Sequence, residues 1–382
     1  VLATNSEVLV TNSKVFKAAL LSNHKMYFDL APKAKKKDLY GMDFTVDLLV
    51  SYLKDSSVRM LIIKGLRRTG KTSLLNVALE ESAQHFLKID VRESPYDNRN
   101  EFEMYLAEKI KEAVGESLIE KVLKKKSGVG LSYKDVEAKV YLGSKAFSSS
   151  FFAQLNTELR TRKEYLLLAF DEAQLLSKIK FDNQLAAIYD NYPQLKLILS
   201  GSEVGLLDKF IGRKDADAPL FGRGMIEIET KKLEPEQASQ FLKEGFAQLR
   251  KSLSLNEIKE VLEQLDGIIG WTTLYGWMRS KNTAHKTALL KVTEEGSKLA
   301  KKELDHFLHN RNRVAYTLLL KLIAQGHNQW GIIKQQFAQK DKNISDRQLD
   351  LYLKELIDYN FVEKADQVYS VPDPLLVRAL SQ

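Results

Sequence analysis

Short aliphatic runs alternate with longer amphipathic stretches from Val58 to about Glu229. The most apolar of these runs are RMLIIKG, FLKIDVR, YLLLAFDEAQ and LKLILSGSEVG. Runs of this length, separated by segments long enough for helices, are typical of parallel strands joined by helices. We therefore predict an α/β fold with a parallel sheet, interrupted at residues 127–143 by a glycine-containing, hairpin-like insertion or loop.

The second half of the chain changes to helical periodicity. Residues 233–309 are predicted to be almost entirely helical, and Pro235 suits the first turn of the first helix. Residues 310–382 predict three helices and then a strand pair, the order of a winged-helix domain, with Ser345 and Gln348 as a capping box before the third helix. Residues 1–25 lack a sharp period, and we interpret them as an N-terminal extension. The rest of the chain is predicted to form an α/β core (26–232), a helical lid (233–309) and a winged-helix domain (310–382).

Composition narrows the classes of protein that remain. The 382 residues include no cysteine, which excludes disulfides, thiolate zinc sites and cysteine nucleophiles. Together with the lack of a secretion signal, this favours a cytoplasmic protein. No apolar window approaches the roughly 18 to 20 residues of a membrane span, so we expect no membrane partner. The net charge of +8 is compatible with phosphate-bearing ligands or nucleic acid, although its short basic clusters are typical of solvated faces.

The glycine-rich stretch GLRRTGKT follows the first aliphatic run and opens a helix. It satisfies the pattern G-x-x-x-x-G-K-[ST] in the strand-loop-helix context that gives this pattern meaning. Glycines let backbone amides turn around a phosphate, and the helix N-terminus adds favourable partial charge. Lys71 is expected to neutralise the β- and γ-phosphates, and Thr72 to offer its hydroxyl to Mg²⁺. The predicted nucleotide-binding residues are Gly65, Leu66, Arg67, Arg68, Thr69, Gly70, Lys71, Thr72 and Ser73.

A carboxylate pair ends the apolar run LLLAFDEAQ. Asp171 is placed to reach a metal's coordination shell, and adjacent Glu172 to polarise an attacking water, which is the Walker B arrangement with a glutamate base. The alternative is that both residues only cap the following helix. No Asn-Lys-x-Asp run of the kind that recognises guanine occurs, so ATP or ADP is the expected nucleotide.

Three further polar residues are candidates for the chemistry. Ser200 and Ser202 end the run LKLILSGS, where a hydroxyl could sense the γ-phosphate or orient water, although an ordinary strand-ending turn would look the same. Arg223, in PLFGRG, could stabilise charge on a transferring phosphoryl group, either within its own chain or in the site of a neighbouring subunit, or be a surface arginine. The predicted catalytic residues are Glu172, Lys71, Arg223 and Ser200, and the predicted metal ligands are Thr72 and Asp171.

These motifs together carry a family resemblance. The stretches GLRRTGKT, LLLAFDEAQ, LILSGSEVGLL, PLFGRG and GIIGW resemble, in order and spacing, the archaeal ATPase family of the AAA-plus and STAND superclass, over about residues 26–382. The resemblance implies a P-loop NTPase fold with a five-stranded parallel sheet, followed by an all-α lid and a winged-helix domain. It also implies ATP binding with hydrolysis.

The chain departs from the family pattern at two positions. Met42 stands in DLYGMDF where the family usually has an arginine near the adenine pocket. Ile269 replaces the proline of a Gly-x-Pro-Gly element that normally sits against the nucleotide. The neighbouring Trp271 is predicted to belong to the lid core rather than to stack on a ligand.

Several functions are compatible with this pattern. The first is an ATP-hydrolysing switch whose nucleotide state is relayed by the lid and the winged helix to a protein partner or to further copies of the chain. The second is a DNA-binding ATPase, akin to origin-recognition or regulatory ATPases, although residues 345–359 carry more acidic than basic side chains. The third is a non-hydrolysing nucleotide-dependent scaffold. A metal enzyme built on His306 and His309 is a fourth, since their spacing puts both on one helix face.

Overall fold

The computed structural model describes residues 27–95, 97–115, 118–119, 122, 149–213, 215–340 and 344–381. The N-terminal extension at 1–25 and the hairpin-like insertion at 127–143 therefore lie outside the described residues. Within the described part of the chain, no helix has the length and apolar character needed to cross a membrane.

The described residues include the parallel strands β1 (Met60–Gly65), β2 (His85–Asp90), β3 (Leu166–Asp171), β4 (Leu195–Gly201) and β5 (Ile226–Thr230). These strands form one sheet in the order β2-β3-β4-β1-β5, which confirms the predicted α/β fold. Every residue of β3 and β4 is buried, because helices cover both faces of a parallel sheet.

Alternating side chains of β1 to β4 pack into two separate hydrophobic clusters. Met60 and Ile62 of β1 face one cluster, whereas Leu61 and Ile63 face the other, as the two-residue period of a strand requires. The helices of this part are α1 (Asp43–Lys54), α2 (Lys71–Ser82), α3 (Arg99–Val114), α4 (Ser149–Arg162), α5 (Asp182–Asn191) and α6 (Val204–Phe210).

A run of helices follows the sheet, as predicted for the lid. Pro235 is the first residue of its first helix, where its missing N–H costs nothing. A third hydrophobic cluster joins these helices and also takes in Tyr27 and Phe28 from the start of the described chain. The helices are α7 (Pro235–Gln248), α8 (Leu255–Leu265), α9 (Ile269–Ser280) and α10 (His285–Phe307).

The C-terminal region has the element order that was predicted for a winged helix. Helices α11 (Arg313–Ala324), α12 (Trp330–Ala338) and α13 (Asp346–Asp358) precede an antiparallel hairpin, β6 (Glu363–Ala365) with β7 (Val368–Ser370). Ser345 accepts from the Gln348 backbone N–H at 3.3 Å. The Gln348 side chain, however, donates to Tyr352 at 2.9 Å, so only the Ser345 half of the predicted capping box is seen.

A final helix, α14 (Pro374–Ser381), was not predicted from the sequence. It lies between two hydrophobic clusters: Leu375 packs with the lid helices, whereas Leu376 and Leu380 pack with the C-terminal helices. A Cβ on Gly296 of α10 would lie 2.1 Å from Leu375, so this glycine lets α14 approach the lid closely. The C-terminal region is thus attached to the lid by packing. The four domain bounds given above remain a prediction.

Candidate functional site

The glycine-rich loop connects the end of β1 to the start of α2, as the motif predicts. Gly65 has φ +146° and Gly70 has φ +93°, both in the region that side chains disfavour. A Cβ on Gly65 would also lie 2.1 Å from the Thr230 carbonyl oxygen of the neighbouring strand β5. Both glycines are therefore required by the backbone, and the loop delivers the N-terminus of a 12-residue helix to the carboxyl edge of the sheet.

Lys71 is the first residue of α2 and is only 6% exposed. Its Nζ donates to the Gly65 carbonyl at 2.9 Å and also to the Leu66 carbonyl. Burial lowers the pKa of Lys71 to about 8, against the opposing influence of Glu172 and Asp171. An ammonium held this way gains from any anion that approaches the loop, because a phosphate would restore the solvation that burial removes.

The predicted loop residues divide into two groups. Thr69 is fully buried, donates to the Leu66 carbonyl at 2.7 Å, and shares a 2.6 Å hydrogen bond with Thr230, so it fixes the loop. Ser73 accepts from the backbone N–H of Lys33 at 3.0 Å and thereby ties the helix to the segment before it. The loop residues that line the adjoining cavity are Arg67, Arg68, Gly70, Lys71, Thr72 and Ser73.

Asp171, at the end of β3, is 2% exposed and connects the two predicted motifs. The Thr72 hydroxyl donates to its Oδ2 at 2.8 Å, and the Ser200 hydroxyl donates to its Oδ1 at 2.5 Å. The strand register explains the second contact, because Asp171 and Ser200 are opposite each other on β3 and β4. Ser200 thus fixes the carboxylate rather than lining the cavity. The adjacent hydroxyl and carboxylate oxygens of Thr72 and Asp171 are the hard donors that suit Mg²⁺.

Glu172 has φ +56°, a left-handed conformation that turns the chain out of β3. Its carboxylate lines the cavity and accepts from the Ser202 hydroxyl at 3.0 Å and from the Gln174 amide at 2.8 Å. A carboxylate held at the cavity wall by neutral donors keeps a fixed position from which to accept a proton.

The two loop arginines are paired with carboxylates from distant elements. Arg67 donates at 2.9 Å to Glu203, the residue just before α6. Arg68 donates to Glu303 of the lid helix α10 at 2.8 Å, and its guanidinium lies 4.1 Å from the ring centre of Trp271. Trp271 is itself buried in the lid cluster, as predicted.

A cavity of about 420 Å³ adjoins the loop, a volume within the usual range of small-ligand pockets. Its lining also includes an aromatic group in which the ring centres of Tyr27 and Tyr40 are 5.4 Å apart, and those of Tyr40 and Phe241 are 5.1 Å apart. Both departures from the family pattern, Met42 and Ile269, also line this cavity. The cavity lining thus combines the charged loop residues with an aromatic group.

Arg223 is not among the residues that line this cavity. Its Nε and Nη2 donate to the Asp190 carboxylate at 2.9 and 2.5 Å, and its Nη1 donates to the Pro219 carbonyl. Both edges of its guanidinium therefore have hydrogen-bond partners outside the cavity lining. A role for Arg223 within its own chain gains no support from this placement, and a role between subunits remains a prediction.

The fourth hypothesis is a metal enzyme that uses a histidine pair. Among the described residues, no group of three or more histidine, aspartate or glutamate side chains is placed to hold a metal ion. The hypothesis of a metal enzyme built on His306 and His309 therefore has no support from the geometry.

Sequence reasoning missed residues that reach the site from elsewhere in the chain. Glu303 and Arg92 both line the cavity, although neither lies in a motif. A usable signal existed for Arg92: it lies two residues after the end of β2, and the carboxyl ends of parallel strands meet at one edge. Glu303, near the C-terminal end of α10, carries no comparable signal.

Residues 46–270, more than half of the chain, match a family described as an ATPase domain predominantly from Archaea. The Walker-type ATPase of Pyrococcus abyssi is 29% identical, with 94% of this chain and 100% of that chain covered and a TM-score of 0.77. The ORC2 protein of Aeropyrum pernix, solved in ADPNP-ADP complexes, is 15% identical, with 94% and 96% covered and a TM-score of 0.60. At that identity the second likeness concerns the fold alone. No curated protein matches this chain.

Proposed function

The chain belongs to the family of ATPase domains found predominantly in Archaea, and we propose that it binds ATP with Mg²⁺ and hydrolyses it to ADP and phosphate. One observation carries the proposal: the 2.8 Å hydrogen bond between Thr72 of the glycine-rich loop and Asp171 at the end of β3. It brings the two motifs together beside Lys71, which lines a cavity large enough for a nucleotide.

Each part of the cavity has a separate task in this proposal. The amides before α2 and the Lys71 ammonium hold the β- and γ-phosphates, while the aromatic group of the lining takes the base. Thr72 and Asp171 would hold Mg²⁺, which supplies charge neutralisation on the phosphate oxygens when bound. Glu172 accepts a proton from the attacking water as the new oxygen–phosphorus bond forms and the bond to the β-phosphate oxygen breaks.

The same site offers a route to the lid. The Gly270 N–H donates to the Arg68 carbonyl at 3.0 Å, and a Cβ on Gly270 would lie 2.7 Å from the Arg68 Cβ. The start of α9 therefore packs directly against the phosphate loop. A nucleotide that shifts the loop has to shift or release this helix, which supports the lid as a reporter of nucleotide state.

A second route leads to the C-terminal region. Asn360, just after α13, donates to the Ser202 carbonyl at 3.0 Å, and the Ser202 hydroxyl bonds to Glu172. Nearby, Lys209 of α6 pairs with Asp358, and a Cβ on Gly205 would lie 2.4 Å from the Asp358 Cα. These contacts support a switch in which hydrolysis at Glu172 changes the docking of the C-terminal region and so its presentation to a partner.

Glu172→Gln tests hydrolysis separately from binding. Since the amide keeps its shape but cannot accept the proton, single-turnover phosphate release should fall by about 10²- to 10⁴-fold. Affinity for ATP with Mg²⁺ should stay within a few-fold of the wild type. If wild-type protein binds ATP and releases no phosphate in a single turnover, the chain is the non-hydrolysing scaffold instead. If the variant turns over at the wild-type rate, Glu172 is not the base.

The DNA-binding alternative gains little from the contacts of α13. Lys334 of α12, a basic residue next to this helix, is paired with Asp346 at 2.6 Å. The other end of the helix is packed against α6 through Asp358. A titration of duplex DNA at increasing salt separates the two hypotheses, because phosphate contacts lose affinity steeply as ionic strength rises. Under the switch proposal no salt-dependent binding of this kind is expected.

A further inference from the structure

We propose that Arg92 is the arginine that contacts the terminal phosphate of ATP within its own chain. The inference rests on the proposed nucleotide site and adds a residue that the motifs do not contain. It also assigns contact with the transferring phosphoryl group to Arg92 and not to Arg223.

The position of Arg92 follows from the sheet. In the register of β2 and β3, Asp90 lies opposite Asp171, so Arg92 lies beside the strand end that carries the carboxylate pair. A short 3₁₀ turn, Val91–Glu93, takes the chain away from β2 at this edge. Arg92 lines the same cavity as Lys71, Thr72 and Glu172.

One edge of the Arg92 guanidinium is anchored and the other remains available. Its Nε and Nη2 donate to the two oxygens of Asp90 at 2.9 and 2.6 Å. Among the described residues, no hydrogen bond from its Nη1 is seen, and the side chain is 58% exposed. A planar guanidinium fixed by a bidentate carboxylate keeps its remaining donors in a set direction, which suits recognition of a phosphate oxygen.

The electrostatic surroundings of Arg92 agree with this geometry. The hydrogen bonds that Arg92 donates to Asp90, together with the negative charges of Asp90, Glu172 and Asp171, raise the pKa of Arg92 beyond the ordinary arginine range. The guanidinium is therefore within reach of the field of the predicted metal ligand and the predicted base. Arg223 lacks both of the geometric features of Arg92, because both edges of its guanidinium have hydrogen-bond partners and it does not line the cavity.

The test compares a triphosphate with a diphosphate. With Mg²⁺ present, calorimetry should give the affinities of a non-hydrolysable ATP analogue and of ADP for wild type, Arg92→Ala and Arg92→Lys. A donor on the γ-phosphate contributes to the first affinity only, so Arg92→Ala should weaken analogue binding by about 10- to 100-fold and leave ADP within about twofold. Arg92→Lys keeps the charge and loses the planar pair of donors, so its affinity for the analogue should lie between those of the wild type and Arg92→Ala.

Arg99→Ala is the matched control. Arg99 is also partly exposed and also paired with a carboxylate, Glu103 at 2.9 Å, but it does not line the cavity. Its removal should leave both affinities unchanged. Equal losses for the analogue and for ADP in Arg92→Ala, or no loss for either, would overturn the proposal for Arg92. A wild-type protein that binds neither nucleotide would instead overturn the proposed function itself.

Discussion

Two buried lysines occupy opposite edges of the same sheet. Lys71 lies at the carboxyl edge and Lys196, 1% exposed, near the start of β4 at the other edge. Each donates to backbone carbonyls, and burial lowers the pKa of each to about 8. Judged by burial, charge and pKa alone, the two residues are alike.

Their surroundings are different. The Lys196 Nζ donates to the carbonyls of Leu53 at 2.7 Å and Asp55 at 2.6 Å, where α1 ends. It also lies 4.4 Å from the ring centre of Tyr165, so a helix end and an aromatic ring enclose it. Lys71, in contrast, lines a cavity with Thr72 and Glu172. A perturbed lysine therefore indicates a binding site only where a cavity and complementary groups accompany it.

The largest expected difference between the two edges is in stability. Lys196→Met should lower the free energy of unfolding by about 3 kcal/mol, because it leaves the carbonyls at the end of α1 buried without a donor. Lys71→Ala should change stability much less, since its partners lie in a loop beside a cavity. Urea unfolding of both variants measures this. Equal losses in both would mean that Lys71 is as structural as Lys196.

A second difference is expected in the dependence of binding on pH. Because the pKa of Lys71 is about 8, raising the pH from 7 to 9 removes its charge from most molecules and should weaken ATP binding by about 10-fold. Calorimetric titrations at the two pH values measure this. An affinity that is unchanged at pH 9 would show that the Lys71 ammonium does not hold the phosphates.

Stability should respond to pH in the opposite sense. A lysine whose pKa is lowered on folding holds fewer protons in the folded than in the unfolded state between pH 8 and the ordinary value of 10.5. This lysine therefore makes the free energy of unfolding rise with pH across this window. In Lys196→Met the rise should be smaller, and urea unfolding at pH 7.5 and 9.5 gives the comparison.

The smallest effect concerns the contact between the carboxyl edge and the C-terminal region. Asn360→Asp keeps the size of the side chain and replaces the amide donor to Ser202 with a carboxylate oxygen, so docking should weaken by about 1 kcal/mol. Hydrogen exchange of residues 358–362 should then be several-fold faster. Asn310→Asp is the matched control, because Asn310 is exposed and has the same φ of +62°. Equal exchange rates in both variants would show that the Asn360 contact does not hold the C-terminal region against the sheet.

The features that the sequence predicts well are those whose cause is local. Gly65, Gly70 and Lys71 are recognisable because the backbone conformation and the ligand chemistry depend on neighbouring residues. Asp171 is recognisable because it ends a buried strand. The parallel sheet follows from apolar runs that two helical layers bury.

The features that were missed depend on residues far apart in the chain. The pairing of Arg223 with Asp190 removes that arginine from the cavity, and neither motif nor period shows it. The contact of Asn360 with Ser202 spans 158 positions. Arg92 gains its orientation from Asp90, and its place in the cavity from the register of β2 against β3. Such relations come from the assembled sheet and cannot be read from local pattern.

We propose that the carboxyl edge of the sheet, unlike its amino edge, binds a triphosphate. Calorimetric titration of ATP with Mg²⁺ into wild type, Lys71→Ala and Lys196→Met compares the two edges in one measurement. We expect one saturable site in the wild type, a loss of affinity of about 100-fold or more in Lys71→Ala, and wild-type affinity in folded Lys196→Met. No binding by the wild type, or equal binding by Lys71→Ala, would contradict the account.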